Sequence, residues 1–552
     1  MERCDVVIVG AGFAGMYAIH RLRRLDLTLR CFDAAGDVGG TWWWNRYPGA
    51  RCDIESLDYS YSFSPELEQD WDWTERYATQ PEILRYAGHV ADRFDLRRSI
   101  QFDTRVESAT FDDESARWDV RTDRGDTVSA QFLVMATGCL STPKLPEIDG
   151  IQRFGGATYH TATWPHDDVD FTGRRVAVIG TGSSGIQVIP LIAEQAAHLT
   201  VFQRTPAYST PARNGPLDPQ TVAARKATYQ AYRERARSTH IGVVIDVAAD
   251  SATSADPAER DRRFSEGWDE GTLYGVASKF ADILIDPAAN ELAAEFLRQR
   301  IRDAVADPDV AERLSPRTFP YATKRPCLDT GYFETFNRPN VALVDLRAAP
   351  IIEVNADGIR TTEQQVDVDD IVFATGFDAI TGPLLALDPV GAGGISLREK
   401  WSAGPRTYLG IAIAGFPNLF LVTGPGSPSV LTNVIVSIEH HVDWIADLLA
   451  TMIERGATSV EVDEIAEAGW VEHVNEIGDL TLYPLAASWY TGANVDGKPR
   501  VLMPYVGGFG AYRQHCAAIA ANGYEGFTLT SPGSGRADPA GMTRAASTLK
   551  SS

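Results

Sequence analysis

Two glycine turns constrain this chain more than any other feature. DVVIVGAGFAGMYAIHRL (5–22) and RRVAVIGTGSSGIQVIPLI (174–192) follow one plan: an apolar run, a Gly-x-Gly-x-x-Gly turn, then a helical continuation. The turns are Gly10, Gly12, Gly15 and Gly180, Gly182, Gly185. In that context the first glycine permits the tight turn and the second lets backbone approach a pyrophosphate. The third lets the helix pack against the strand, and the helix N-terminus favours the anion. One such hexapeptide is a weak signal. Two in the same context predict an α/β chain with two Rossmann-like dinucleotide-binding domains.

A second repeat sits beside the first. FLVMATGCL ends an apolar run at Ala136-Thr137-Gly138, and DDIVFATGFD ends another at Ala374-Thr375-Gly376. An apolar strand closed by Ala-Thr-Gly resembles the closing motif of two-dinucleotide flavoproteins. The two copies straddle the second glycine turn, so the second unit reads as an insertion into the first. The expected division is a discontinuous first domain over 1–145 and 365–530, and a second over 146–214 and 311–364. Residues 215–310, with TVAARKATYQAYRERARSTH and NELAAEFLRQRIRDAVADP, have helical periodicity and much charge, so a helical insertion or lid is expected there. A mobile loop is expected near 247–258. The tail 531–552 lacks apolar periodicity and is expected to be disordered.

Composition narrows the partners. A chain of 552 residues exceeds one domain, and a net charge of −23 argues against a nucleic-acid surface. No run reaches the ~18 apolar residues of a membrane helix. The start CDVVIVGAG lacks a basic region and a cleavage site, so it reads as a first strand. Six cysteines, at 4, 31, 52, 139, 327 and 516, form no CxxC pair. That argues against a zinc site or dithiol redox centre and fits reduced thiols in a cytoplasmic protein. No metal constellation is present in the sequence. A monomer is expected.

The two strand ends after the turns differ in charge. In LTLRCFDAAG, Asp33 stands where a carboxylate bonds an adenosine ribose, favouring FAD or NAD over NADP. In HLTVFQRT the matching positions are Gln203 and Arg204. A carboxylate there would repel a 2′-phosphate, whereas the planar fork of Arg204 binds one, so NADPH is expected. Lys324, in ATKRP, is available as a second cation.

Between the domains, FGGATYHTATWP places Phe154, Gly156, His160 and Trp164 at the offsets F-x-G-x-x-x-H-x-x-x-W-P. Upstream, GGTWWWNRYPGARCD places Gly40, Trp42, Tyr47, Pro48, Gly49 and Asp53 in a second pattern. With TKR, GPGSPS and WYTGAN, these stretches resemble the Baeyer–Villiger monooxygenases from residue 4 to about 530. The phenylacetone and steroid monooxygenase branch is the most similar. Flavin-containing monooxygenases that oxidise nitrogen or sulfur usually carry Tyr or Phe where Trp164 stands.

The resemblance implies FAD at the first turn, NADPH at the second, and insertion of one oxygen atom from O2 beside a ketone carbonyl. The product is an ester or lactone, formed by way of a C4a-peroxyflavin and a Criegee adduct. It implies Arg325 as the cation that holds the anionic oxygen, Asp53 as the carboxylate that positions it, and Lys324 on the NADP phosphate. It implies Trp489, in SWYTGANVDG, as a loop residue over the nicotinamide. Ser429, Val430 and Leu431, in GPGSPSVLTN, are the implied wall of the ketone pocket. His160 and Trp164 are expected to be hinge residues rather than catalysts, and His440 and His441 to lie on a helix surface. Pro326 and Cys139 depart from the nearest branch. Two other readings remain at this point: an N- or S-oxygenating flavin monooxygenase, and a non-catalytic nucleotide sensor lacking the Arg325–Asp53 pair.

Overall fold

The computed structural model of the chain describes residues 1–531, so the tail expected to be disordered lies, but for Ser531, outside the described residues. The apolar run before the first glycine turn becomes the strand Glu2–Val9, with Val6, Val7 and Ile8 fully buried. It is flanked by two parallel neighbours, Leu29–Phe32 and Thr127–Met135. Burial on both faces explains why it reads as a continuous apolar run rather than an alternating one. Ile100–Gln101 extends this sheet on one side, and the antiparallel strands Arg117–Thr122 and Val106–Asp112 extend it on the other.

The second sheet is all parallel. Its order is Val341–Asp345, His198–Gln203, Arg175–Ile179, Asp370–Phe373 and Ala157–His160. The edge strand Ala157–His160 is the middle of the inter-domain stretch FGGATYHTATWP.

The Ala-Thr-Gly repeat has the same job in both units. Gly10 has φ +102°, and a Cβ there would lie 2.6 Å from the Ala136 carbonyl oxygen. Gly180 has φ +111°, and its Cβ would lie 2.4 Å from the Ala374 oxygen. Each motif therefore crosses the glycine turn of its own sheet. This corrects the expected boundary at 365. Asp370–Phe373, buried along its whole length, is the centre of the second sheet. The chain rejoins the first unit at Val390, bridged to Thr110, and then at Leu419–Leu421, parallel to the end of Thr127–Met135.

Three long helices lie within 215–310. Pro219–Ser238, Pro257–Glu270 and Pro287–Ala304 each begin with proline after an aspartate whose carboxylate accepts from the first-turn amides: Asp218, Asp256 and Asp286. Proline at the first helical position and aspartate at the cap both suit a helix start. The first helix is fastened to the first unit by the buried Arg233, which donates to Glu68 (2.9 Å), the Asp58 carbonyl (3.0 Å) and Ser60 (2.7 Å). The loop near 247–258, expected to be mobile, is tied down: the Ala252 N–H donates to Asp282, and Arg263 pairs with Asp250.

The helix Val434–Arg455 corrects another expectation. His441 is fully buried, not on the surface. Its Nδ1 accepts from the Thr423 N–H at 2.9 Å, and its Nε2 meets the Tyr512 hydroxyl at 2.7 Å. The helix is apolar on most of its circumference and passes through the domain core, so a histidine there must be satisfied internally. Among the described residues no helix is long and apolar enough to cross a membrane.

Candidate functional site

A cleft of about 1280 Å³ runs from one glycine turn to the other. Gly10, Gly12, Asp33 and Trp42 line it on one side, and Gly180, Gly182, Arg204, Lys324 and Arg325 on the other. Gly40, with φ +54°, meets Gly12 backbone to backbone: a Cβ on Gly40 would lie 2.9 Å from the Gly12 Cα. The Gly-Gly of the second pattern is thus packed onto the first dinucleotide turn. Asp33 accepts from the Ala11 and Ala35 amides at the end of its strand. Burial pushes its carboxyl up, and those two amides pull it back. The Trp42 indole N–H donates to the Tyr59 hydroxyl at 3.1 Å.

At the second turn, Arg204 and Lys324 share the cleft wall. Burial first, then the cations Arg204 and Arg347, push the Lys324 ammonium down to about 8. Its Nζ rests 4.4 Å above the Phe319 ring. Arg347 was not apparent from the sequence. It follows the strand Val341–Asp345, which lies in register with His198–Gln203, Asp345 opposite Gln203. Arg347 and Arg204 therefore emerge from adjacent strand ends, a neighbourhood that only the register reveals. Two cations on the cleft wall, with Arg347 close enough to act on Lys324, suit a dianionic phosphate.

In the same cleft, Arg325 and Asp53 form a fork. Nε reaches one carboxylate oxygen at 2.6 Å and Nη2 the other at 2.8 Å, while Nη1 donates to the Val430 carbonyl at 2.5 Å. Burial alone would lower the guanidinium pKa, but Asp53 overrides it and holds the group well above its usual range. Arg325 therefore stays cationic at any working pH.

Asp53 is placed by the segment before it. The Tyr47 hydroxyl donates to Gln187 at 2.8 Å, and Gln187 donates to the Arg51 carbonyl at 3.1 Å. Gly49 has φ +81°, and its Cβ would lie 2.7 Å from the Gln187 carbonyl. Gln187 belongs to the helix Ser183–Gln195, which follows the second glycine turn. The 39–53 segment therefore closes the first turn at one end and sits on the second domain at the other.

The residues of the inter-domain pattern are packed into the second sheet and its neighbours. A Cβ on Gly156 would lie 2.1 Å from the Asp369 carbonyl and 2.8 Å from the Phe154 ring, so Phe154 folds over a residue that must lack a side chain. The buried His160 accepts from the Ala162 N–H at 3.0 Å, and its Nε2 faces the Lys144 carbonyl (3.3 Å) and Thr375 (3.2 Å). Thr375 belongs to the second Ala-Thr-Gly, so His160 joins both inter-domain crossings. Burial keeps its pKa low. Trp164 is buried in the second domain against Tyr159 and Phe171.

Of the implied ketone wall, Val430 lines the cleft and Leu431 packs beside it with Phe377, Ile380, Tyr490 and Met503. Ser429 is fully buried, and its hydroxyl donates to the Thr423 carbonyl at 3.1 Å, so it shapes the turn and does not face the cleft. Trp489 lines the cleft on a segment reaching Asp496. That segment is latched: Lys144 donates to the Asn494 carbonyl, Asn494 to the Phe377 carbonyl at 2.7 Å, and Lys498 pairs with Asp378 at 2.6 Å. Cys139 also lines the cleft, with its thiol pushed up to about 11, mainly by burial.

Comparison with known proteins agrees with this arrangement. Residues 3–210 match the family described as flavin-binding monooxygenase-like. A Baeyer–Villiger monooxygenase of Pseudooceanicola batsensis is 45% identical over 94% of this chain and 95% of its own. A cyclohexanone 1,2-monooxygenase of Acinetobacter sp. is 40% identical over 95% of this chain and 96% of its own. The solved structure of an oxidized steroid monooxygenase bound to NADP superposes with a TM-score of 0.92 at 55% identity, covering 96% of this chain and 100% of that one. Two dinucleotide turns facing one cleft, a guanidinium between them and this degree of likeness lead to one conclusion: the chain belongs to the Baeyer–Villiger monooxygenases, and its cofactors are FAD and NADP(H).

Proposed function

We propose that Arg325, oriented by Asp53, is the residue that holds the anionic oxygen while it attacks the ketone carbonyl. The observation that carries this is the fork itself: a permanently charged, planar donor fixed in the cleft between the two nucleotide turns. Bound flavin, once reduced by NADPH, supplies the activated oxygen. The protein supplies orientation, charge and exclusion of water. A preorganised donor aimed at developing negative charge lowers a barrier by about 3 kcal/mol.

Gly10, Gly12, Gly15 and Asp33 hold the FAD, with Gly40 and Trp42 behind it. Gly180, Gly182 and Gly185 hold the NADP pyrophosphate, and Arg204 with Lys324 and Arg347 its 2′-phosphate. Trp489 covers the nicotinamide side. The substrate is a bulky apolar ketone of the aryl-aliphatic, cyclic or steroid-like kind. The apolar cluster of Val430, Leu431, Phe377, Ile380 and Met503 supports this, as does the likeness to a steroid monooxygenase. The enzyme works in a reducing cytoplasm, a reading that unpaired cysteines support, and as a monomer.

The test is product analysis with FAD, NADPH, air and phenylacetone, cyclohexanone, a 20-keto steroid and a thioether. The expected product is an ester or lactone one oxygen heavier than its ketone. In Arg325→Ala, NADPH should still reduce the flavin, while ester formation should vanish. Normal ester yield from that variant would sink the assignment.

A further inference from the structure

Arg325 has five N–H groups, and three are committed: two to Asp53 and one to the Val430 carbonyl. Two donors remain, and the proposed role needs one of them free for the anion; fixing the other aims the guanidinium beyond what Asp53 and the Val430 carbonyl do. A second carboxylate would fix it but would cancel the charge that the anion needs. A neutral oxygen fixes it without that loss.

The wall around Arg325 supplies phenols. Tyr274 comes from the helical insertion, and Tyr483 and Tyr490 from the segment that carries Trp489; all three are buried and within electrostatic reach of the guanidinium. Tyr490 stands out. It is 1% exposed, and its hydroxyl makes no well-formed hydrogen bond among the described residues although it lies within reach of the Arg325 guanidinium. A buried, unsatisfied hydroxyl calls for an explanation. Its backbone is firmly placed: the amide donates to Ser488 at 3.2 Å, the carbonyl accepts from Met503 at 2.9 Å, and the ring packs edge-on to Tyr483.

We propose that Tyr490 is a positioning residue for Arg325: its hydroxyl oxygen accepts from a guanidinium N–H not held by Asp53 and keeps the fork facing the cleft. Burial pushes the phenol well above its ordinary range, so it stays neutral and leaves the cation intact. Because Tyr490 adjoins Trp489, the loop over the nicotinamide also sets the direction of the guanidinium. The two cofactor-side and substrate-side tasks are then coupled through one turn, Trp489–Thr491. This inference rests on the role proposed for Arg325.

The test compares Tyr490→Phe in the wild-type and Arg325→Lys holoenzymes, with Tm and flavin content as folding controls. Ester formed per NADPH consumed, peroxide released and the rate of flavin bleaching by NADPH are measured. In the wild-type background, ester per NADPH should fall about tenfold, the size of one lost hydrogen bond to a charged group, while bleaching is unchanged. In Arg325→Lys, which has no fork to orient, the same substitution should add less than about twofold. Unchanged ester yield, equal losses in both backgrounds, or a loss accompanied by slower bleaching would each overturn the proposal. Wild-type yield from Arg325→Lys alone would instead overturn the role of Arg325.

Discussion

The carboxylate of Asp53 and the guanidinium of Arg325, 272 residues apart in sequence, meet through two parallel hydrogen bonds of 2.6 and 2.8 Å. Removing the charge of Asp53 should therefore damage the site more than a lost surface pair would. The pair is part-buried, with side chains 16% and 22% exposed, so losing one partner costs more than the ~0–1 kcal/mol of a surface pair and less than the ~3–5 kcal/mol of a fully buried one. Asp53→Asn should lower ester formation by about tenfold to a hundredfold as that cost falls on the chemical step. NADPH-driven flavin bleaching, followed by stopped flow, should remain.

Lys324 should give NADPH recognition a pH break. With its pKa lowered to about 8, it is cationic below that value and neutral above it. The KM for NADPH should be flat at lower pH and rise as pH passes 8, whereas that for NADH should not. Lys324→Met should raise the NADPH KM and remove the break. A break that survives in that variant would assign the titration elsewhere. The same depressed pKa has a stability consequence in the absence of nucleotide. Between about 8 and the ordinary 10.5 the unfolded chain holds the extra proton, so this group makes stability rise with pH.

The latch on the Trp489 segment should govern coupling rather than flavin reduction. Lys498→Met frees Asp378 and unties one of three fastenings. Amide exchange over 487–498 should accelerate, and more peroxide should be released per NADPH, because water reaches the site more often. Unchanged exchange in that stretch would show that the other two fastenings suffice.

His160 should behave as a structural residue. Its ring accepts one amide and faces one carbonyl at the domain junction, and burial keeps it neutral through the ordinary working range. His160→Ala should lower Tm, as expected for a buried group left unsatisfied at a cost of about 1–3 kcal/mol. The pH profile of ester formation should keep its shape. A lost pH limb with an unchanged Tm would mean that His160 transfers a proton after all.

Local patterns made the nucleotide turns legible, because backbone geometry at Gly10, Gly15, Gly180 and Gly185 tolerates no other residue without steric conflict. Arg325 and Asp53 were legible through family fingerprints, and their spacing alone would not have joined them. Sequence position hid what depends on register and depth. Asp370–Phe373 looked like the return to the first domain, since nothing local says which sheet a buried apolar strand joins. Arg347 is made a neighbour of Arg204 only by the pairing of Asp345 with Gln203. His441 looked like a surface residue because it adjoins His440, at the edge of the polar face that Asp443, Asp447 and Glu454 mark, and Ser429 looked like a pocket residue although its hydroxyl turns inward.

The seating of Gly49 and Tyr47 on Gln187 has a consequence for any attempt to recombine this enzyme. The segment that ends in Asp53 is encoded with the first domain, yet it rests on a helix of the second. A chimera that takes residues 175–375 from a relative replaces the bearing under Asp53 while leaving Asp53 itself untouched. Such a hybrid would keep both nucleotides and lose the aim of its guanidinium, so activity would return only when residues 47–53 and the helix Ser183–Gln195 are exchanged together.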